Sequence, residues 1–443
     1  MTWAEKEFGE TDLGDIRRTD RLVQIASRIV SSPESSLPSA LCSEADNKAC
    51  YRFMQNESFD FSDIILGPLE NCWNRIKKTP RTILVQDTSL LNYDSKKCTI
   101  GLGQIGSKND KSFQGIIMHW TLALTPLGEP LGIADLQLWT REKNPRKISL
   151  SAHQKKPIEE KESMKWIQAV ENIYDNVGDC DPVWVTDREG DVYEHINSVI
   201  TRGYDFVIRC NNDRIIGEEE GLLKERIRSA PILSSQKLEI NLNKKKIQLA
   251  VNIQVCECEL IAGRKVNSYE GCKDHNISVV RVSDDDGYLE WILLTSLDIS
   301  SVEEALEVVS IYKKRWKIEE IHKTLKSGFR AEQLTLNSAF KLQKAIALML
   351  PCAIEVFRML QKQKREPENL ASGVLTKTSI KILCKLNKRK SNYIPTYKEA
   401  WLWIGYLGGF RGSKNSAPPG QITFWRGWRK LMDMTKGAEL LMS

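Results

Sequence analysis

Tyr312-Lys-Lys-Arg-Trp-Lys-Ile-Glu-Glu-Ile-His-Lys-Thr-Leu-Lys326 is the stretch on which the reading of this chain turns. At about 100° per residue of an α-helix, Tyr312, Arg315, Glu319, Lys323 and Lys326 fall within an arc of about 80°. Ile311, Ile318, Ile321 and Leu325 fall on a separate stripe at about 180° to 260°. One helix therefore presents an apolar face to a core and a second face with a single carboxylate among four phosphate-compatible groups. Arginine grips phosphate through its planar fork and lysine acts as a point charge. The same spacing equally suits an exposed Arg315–Glu319–Lys323 ladder of i, i+4 ion pairs. Spacing alone leaves both readings open.

Working outward, two more carboxylates sit beside apolar runs. Thr82-Ile-Leu-Val-Gln-Asp87 and Pro182-Val-Trp-Val-Thr-Asp187 each read as a short buried strand ending in aspartate. Strand-end carboxylates can converge at one sheet edge, where they repel unless a cation lies between them. Hard cations such as Mg²⁺ take oxygen ligands of this kind, which points to metal-assisted phosphoryl transfer. Phe113 to Thr125 and Leu131 to Trp139 read as further strands, Glu160 to Ile173 as a helix, and Phe206 to Arg209 as another strand. Residues 212–290 alternate apolar and polar side chains and read as a β-rich insertion. Trp291 opens the strand that follows, as a core aromatic or as a platform for an unpaired base. Helical patterning resumes over 302–326, 340–362 and 423–434. Cys256, Cys258, Cys272 and His275 make a poor zinc set. Gly101, Gly103 and Gly106 lack the strand-to-helix setting of a phosphate cradle. His119, His153, His195 and His322 show no nucleophile or metal partner in the sequence.

The N-terminal 75 residues read as helical. Arg17, Arg18 and Arg21 crowd the start of a helix after the cap residues Asp12 and Asp15. That pattern suits a small DNA-binding domain and also an ordinary amphipathic helix. The net charge is +6, but residues 377–443 hold thirteen Lys/Arg against Glu399, Asp433 and Glu439, so the tail carries +10 and the rest −4. A basic tail on a near-neutral body favours a polyanion partner. A chain of 443 residues, 28% charged and 41% apolar, exceeds one ordinary domain and is neither disordered nor membrane-spanning. Its opening residues hold no apolar signal core, and eleven scattered cysteines read as reduced thiols, so a cytoplasmic location is expected.

With these residues in view, the chain resembles the DDE transposases of the insertion-sequence-four family. Tyr312, Arg315, Glu319 and Lys326 match the family's Y-(2)-R-(3)-E-(6)-K signature. Asp187-Arg-Glu189 and Asp87-Thr-Ser89 match the settings of its other two acids. Leu13-Gly-Asp-Ile-Arg-Arg-Thr19, Tyr51-Arg-Phe53, Glu160-Lys-Glu-Ser163, Leu407-Gly-Gly-Phe410 and Trp425-Arg-Gly-Trp428 extend the likeness nearly end to end. The resemblance implies an α/β fold: a ribonuclease-H-like catalytic core over 76–370 interrupted by the β-rich insertion. A helical N-terminal end-recognition domain over 1–75 and a helical C-terminal dimerisation domain over 371–443 would flank it. It implies that Asp87 bridges two Mg²⁺ ions, replaceable by Mn²⁺, with Asp187 and Glu319 each completing one site. It implies DNA contacts by Tyr312, Arg315 and Lys326 at a phosphate, Trp291 at a flipped base, and Lys323 and Arg209 nearby. Arg17, Arg18, Arg21 and Arg52 would recognise transposon ends. The implied activity is cut-and-paste transposition by a homodimer through a hairpin intermediate, in a bacterial, nucleoid-associated setting. A metal-dependent endonuclease without strand transfer, or a non-catalytic DNA-binding protein, are the alternatives.

Overall fold

The computed structural model describes residues 1–441 apart from 33–36, 42, 107–112, 143–155, 179, 218–220, 243–244, 263–271 and 413–418, so His153 lies outside the described residues. Five helices open the chain: α1 (Trp3–Phe8), α2 (Ile16–Ser31), α3 (Leu37–Leu41), α4 (Glu44–Gln55) and α5 (Phe61–Ile76). Local chemistry starts several of them. Thr2 with Glu5 and Asp60 with Asp63 form capping boxes, and Asp15 accepts the Arg17 N–H at the head of α2. The spacing of Leu22, Ile25, Ala26 and Ile29 then buries one face of α2.

A ten-stranded mixed sheet follows. Strands β1 (Ile83–Asn92), β3 (Gln114–Leu124) and β4 (Pro130–Trp139) pair antiparallel, with the short β2 (Gly103–Gln104) along β3. Strands β5 (Val183–Thr186) and β6 (Asp205–Arg209) then join in parallel beyond β1. The helices α6 (Met164–Val177) and α7 (Tyr193–Thr201) supply the crossovers. The β-rich stretch begins with α8 (Leu223–Ser229), and β7 (Ile232–Leu242), β8 (Lys245–Leu260), β9 (His275–Ser283) and β10 (Glu290–Thr295) follow. It is continuous with the same sheet, because β10 pairs antiparallel with β6. The alternation in the sequence reports one covered face, and it does not reveal which neighbour the outermost strand joins.

Three expectations are corrected here. Asp87 is not at a strand end: β1 runs five residues further, carried by its pairing to β3 after β5 has stopped at Thr186. The single helix expected over 302–326 is instead α9 (Val302–Lys313), a tight turn at 314–315, α10 (Trp316–Lys323) and a π-helical turn over Thr324–Gly328. Hydrogen bonds from Arg315 N to Tyr312 O (3.0 Å) and from Ile318 N to Arg315 O (3.1 Å) are i→i+3, which tightens the coil locally. The apolar stripe of Ile311, Ile318, Ile321 and Leu325 survives this and is buried. The chain ends in α11 (Ala339–Arg365), α12 (Lys377–Leu386), α13 (Tyr397–Leu407) and α14 (Gln421–Leu440), so the basic tail holds α12 and α13 besides the helix whose patterning is visible over 423–434. Ile380, Leu383 and Cys384 bury one side of α12 while its lysines cover the other. Among the described residues no helix is long and apolar enough to cross a membrane.

One apolar core runs from Ala4 in α1, through the sheet, to Leu431 in α14. Helix α11 threads it and carries Lys344, whose side chain is fully buried (0% exposed). Its Nζ donates to the carbonyls of Phe53 (3.2 Å) and Asn56 (2.7 Å) at the end of α4 and lies 3.6 Å from the Phe59 ring centroid. A helix C-terminus and an aromatic face both favour a cation. Burial nonetheless pulls the ammonium pKa down to about 8. The folded value is then below the unfolded one of about 10.4, so the unfolded chain binds more protons between the two. Stability attributable to Lys344 therefore increases as pH rises from about 8 to about 10.4. Thermal denaturation of the wild type and Lys344→Met over that range should show the difference shifting in favour of the wild type with pH. A pH-independent difference would contradict a desolvated ammonium.

Candidate active site

The parallel register of β1 and β5 places the first two acids. Val85 pairs with Val185, so Asp87 and Asp187 both lie two residues beyond the last paired position and share its face. Asp187 leaves β5 as the cap of a short 3₁₀ turn and accepts the Glu189 N–H at 2.8 Å. Asp87 is only 8% exposed, and its Oδ1 accepts the Thr88 N–H at 2.8 Å. Helix α10 brings Glu319 over this point. The bridging cation is Arg315, 6% exposed, with Nη1 3.2 Å from Glu319 Oε1 and 3.8 Å from Asp87 Oδ2.

These contacts set opposite electrostatic fates for two neighbouring acids. Burial pushes the Asp87 carboxyl well above its usual range, and the nearby charges of Glu319 and Asp187 add to the push while Arg315 opposes it. His322 and Arg315 hold Glu319 below its usual range. One guanidinium is thus shared between Asp87 and Glu319, while Asp187 stands outside these contacts. The donor atoms of Asp87, Glu319 and His322 all lie within 4.8 Å of one another, the group among the described residues suited to hold a metal ion. Carboxylate oxygens gathered this closely fit a hard divalent cation.

Other expected residues are placed as follows. Tyr312 is buried one turn before Arg315, and Trp291 on β10 packs edge-on against it at 5.4 Å between centroids. Lys326 donates to the Leu90 carbonyl at 2.7 Å, on the same β1 that carries Asp87. Lys323 is exposed. Arg209, at the end of β6, donates to the Glu290 carbonyl at 3.0 Å. In the N-terminal helices Arg17 and Arg52 are exposed. Arg18 donates to the Leu13 carbonyl at 2.7 Å, and Arg21 pairs with Asp46 at 3.4 Å. Cys256, Cys258, Cys272 and His275 do not gather as metal ligands, and the His275 Nε2 meets Asn197 Oδ1 at 2.8 Å. Gly103 is a packing glycine of β2, since a Cβ there would strike the Arg141 carbonyl.

His322 corrects the sequence reading, which gave it no partner. Its Nδ1 lies 3.9 Å from Asp87 Oδ2 and 3.8 Å from Glu319 Oε2. A signal was present: at about 100° per residue His322 sits at the edge of the Arg315–Glu319 face. Trp120, which bonds it from β3, left none, because a strand-to-helix contact between residues 120 and 322 has no local spacing.

Residues 1–59 match the family model "Transposase DNA-binding", and residues 159–354 match "Transposase DDE domain". The chain carries a DDE transposase domain behind a transposase DNA-binding domain. The DDE match spans Asp187, Arg315 and Glu319 and begins after Asp87. Among solved structures the chain is similar to the cryo-EM structure of the piggyBac transposase synaptic complex with hairpin DNA, at TM-score 0.36 and 10% identity. That likeness covers 83% of this chain and 56% of the other, so the chain spans a little over half its length.

Removing the buried charge should separate stability from function. Because the folded pKa of Asp87 is raised, its ionisation destabilises the metal-free fold increasingly as pH rises above about 4. Asp87→Asn should therefore raise the melting temperature of the metal-free protein at pH 7 by a few degrees, about 1 kcal/mol or more. The same variant should lose the stabilisation that added Mg²⁺ or Mn²⁺ confers on the wild type. A lower melting temperature without metal would contradict the repulsion described here.

Proposed function

We propose that this transposase is a cut-and-paste enzyme of the insertion-sequence-four group, with one active site built from Asp87, Asp187 and Glu319. The observation that carries the reading is the parallel β1–β5 register, which sets two aspartates side by side beneath a helix-borne glutamate and Arg315. The strand order β4-β3-β1-β5-β6, antiparallel then parallel, supports a ribonuclease-H-like core. The core would span 76–370, flanked by an end-recognition domain over 1–75 and a dimerisation domain over 371–443.

Asp87, Asp187 and Glu319 would hold two divalent cations, Mg²⁺ with Mn²⁺ as substitute. Bound there, such ions supply Lewis-acid activation of a nucleophile and neutralise charge on the phosphate. The chain's own groups do the positioning. Arg315 orients Asp87 and Glu319 and offers its remaining N–H groups to a non-bridging phosphate oxygen. Lys326 and Lys323 flank the phosphate path, and Arg209 lies at the adjacent strand end. Trp291 and Tyr312 form an aromatic pair against which an extruded base can stack once the pair opens. Arg52 presents an exposed guanidinium to a duplex, Arg17 would trade its exposed ion pair with Asp15 (2.6 Å) for a phosphate, and Arg18 and Arg21 brace the helix that carries Arg17.

Strand nicking, hairpin formation, hairpin opening and joining of a 3′-end to target DNA are all in-line displacements at phosphorus. One site can serve them in turn, with water or a 3′-hydroxyl as attacking group. The substrate is the element's own DNA ends, held by a homodimer through α14. The setting is the bacterial cytoplasm, at the nucleoid.

Purified protein, Mg²⁺ and DNA bearing the element's flanking ends provide the test. End-specific nicks followed by hairpins and joined products are expected. Glu319→Gln should bind ends normally and nick at least about 100-fold more slowly, the scale of losing one preorganised electrostatic partner. Nicking at the wild-type rate would remove Glu319 from the site. Trp291→Ala should leave first nicking within about threefold of wild type while lowering hairpin yield by about 10-fold, the scale of one lost base stack. Cleavage indifferent to end sequence and without joining would instead identify an endonuclease.

A further inference from the structure

His322 has a partner on each side, and the chemistry of one decides what it offers the other. The Trp120 indole Nε1 lies 2.7 Å from His322 Nε2, with the two rings edge-on at 5.8 Å. An indole nitrogen is a donor only. The His322 Nε2 must therefore present its lone pair, and the proton of the neutral ring resides on Nδ1. A doubly protonated ring would set two N–H groups against each other at 2.7 Å. The Nδ1–H is directed at the cleft between Asp87 Oδ2 (3.9 Å) and Glu319 Oε2 (3.8 Å).

The fold builds this arrangement from three elements. Trp120 and Asp87 are directly opposite each other in the β1–β3 register and share one face of the sheet. Both Trp120 and His322 are buried. His322 follows Glu319 by one helical turn on α10, so its ring spans the gap from sheet to helix. Arg315 faces the same two carboxylates from the preceding turn.

We propose that Trp120 and His322 form a positioning pair that sets the spacing of Asp87 and Glu319 and is not itself a metal ligand. The pair rests on the reading of those acids as cation ligands. His322 lies close enough to complete a ligand set, yet the indole N–H leaves a proton where a ligand would need a lone pair. The Nδ1–H instead points between the two carboxylates, at 3.9 Å and 3.8 Å too far for a direct hydrogen bond but near enough to attract both. It holds their oxygens apart at a fixed distance in the metal-free protein and remains on Nδ1 when a cation binds. This is the outer-contact role by which neighbours of metal ligands govern affinity.

Long-range ¹H–¹⁵N spectra of the histidine rings in metal-free, ¹⁵N-labelled full-length protein read the tautomer directly. The His322 Nδ1 should be protonated and Nε2 bare, and Trp120→Phe should shift the ring toward the Nε2–H form. Addition of Mg²⁺ should leave the Nδ1 proton in place. Calorimetric titration with Mg²⁺ supplies the second arm. His322→Asn keeps an N–H near the Nδ1 position and should bind within about threefold of wild type, whereas His322→Gln, which reaches only the Nε2 position, should weaken binding by about 10-fold or more. An Nε2–H tautomer in the wild type would overturn the proposal. So would loss of the Nδ1 proton on Mg²⁺ addition, or wild-type affinity in His322→Gln. If either histidine variant fails to fold, the wild-type and Trp120→Phe spectra still decide. A wild type that binds neither Mg²⁺ nor Mn²⁺ would refute the metal reading of the acids, while the metal-free spectrum judges the tautomer independently.

Discussion

Mutual repulsion of carboxylates at the point where two parallel strands diverge is the constraint around which this molecule is organised. Backbone pairing of β1 with β5 brings Asp87 and Asp187 together irrespective of whether their charges favour it. Helix α10 adds a third acid. Against them stand the buried guanidinium of Arg315 and the imidazole of His322. The rest of the fold works to hold this unfavourable cluster in place. The core that runs from α1 to α14 over-determines the sheet beneath it, as is usual where strain is kept for function. Burial first, and the charges of Glu319 and Asp187 after it, hold the Asp87 pKa above its usual range, and perturbation of this kind concentrates at sites that bind or react.

The surroundings of the site follow the same logic. The tight turn at Lys314–Arg315 and the π-helical turn over Thr324–Gly328 bracket α10. Both departures from α geometry change which side chains face the sheet. Along the helix Arg315 is inside, Glu319 at the rim and Lys323 outside. Lys326 then folds back onto β1 through the Leu90 carbonyl. A gradient from buried guanidinium to exposed ammonium along one helix suits a polyanion that enters from solvent and ends against the acids.

Much of this was legible in the sequence, for physical reasons that can be named. Strands β3, β4, β5 and β6 announce themselves through apolar runs bounded by turn residues. The apolar stripe of α10 survives because burial tolerates small rotations. The signature positions are visible because a helix places residues three and four apart together. The extent of β1 was not legible: nothing in Thr88-Ser-Leu-Leu-Asn92 reveals that β3 carries it past Asp87. Neither was the continuity of the insertion with the main sheet, which depends on β10 returning to β6. Helix α13 was missed because Trp401, Trp403 and Gly405 do not resemble an amphipathic period, although Trp401 packs against Phe424 and Trp428 and Trp403 against Tyr393. The fate of Trp291 and Tyr312 as a packed pair, and of Trp120 with His322, arises from contacts distant in sequence.

The central claim is that Asp87, Asp187 and Glu319 share one cation site although they are far apart in the chain. Substituting Fe²⁺ and generating hydroxyl radicals with ascorbate and peroxide tests it most directly, because radicals cleave backbone only near the bound ion. The account predicts three groups of fragments, from cuts close to residues 87, 187 and 319, all suppressed by excess Mg²⁺ and by Asp87→Asn. Cuts at one of these places without the other two, or at an unrelated place, would contradict it.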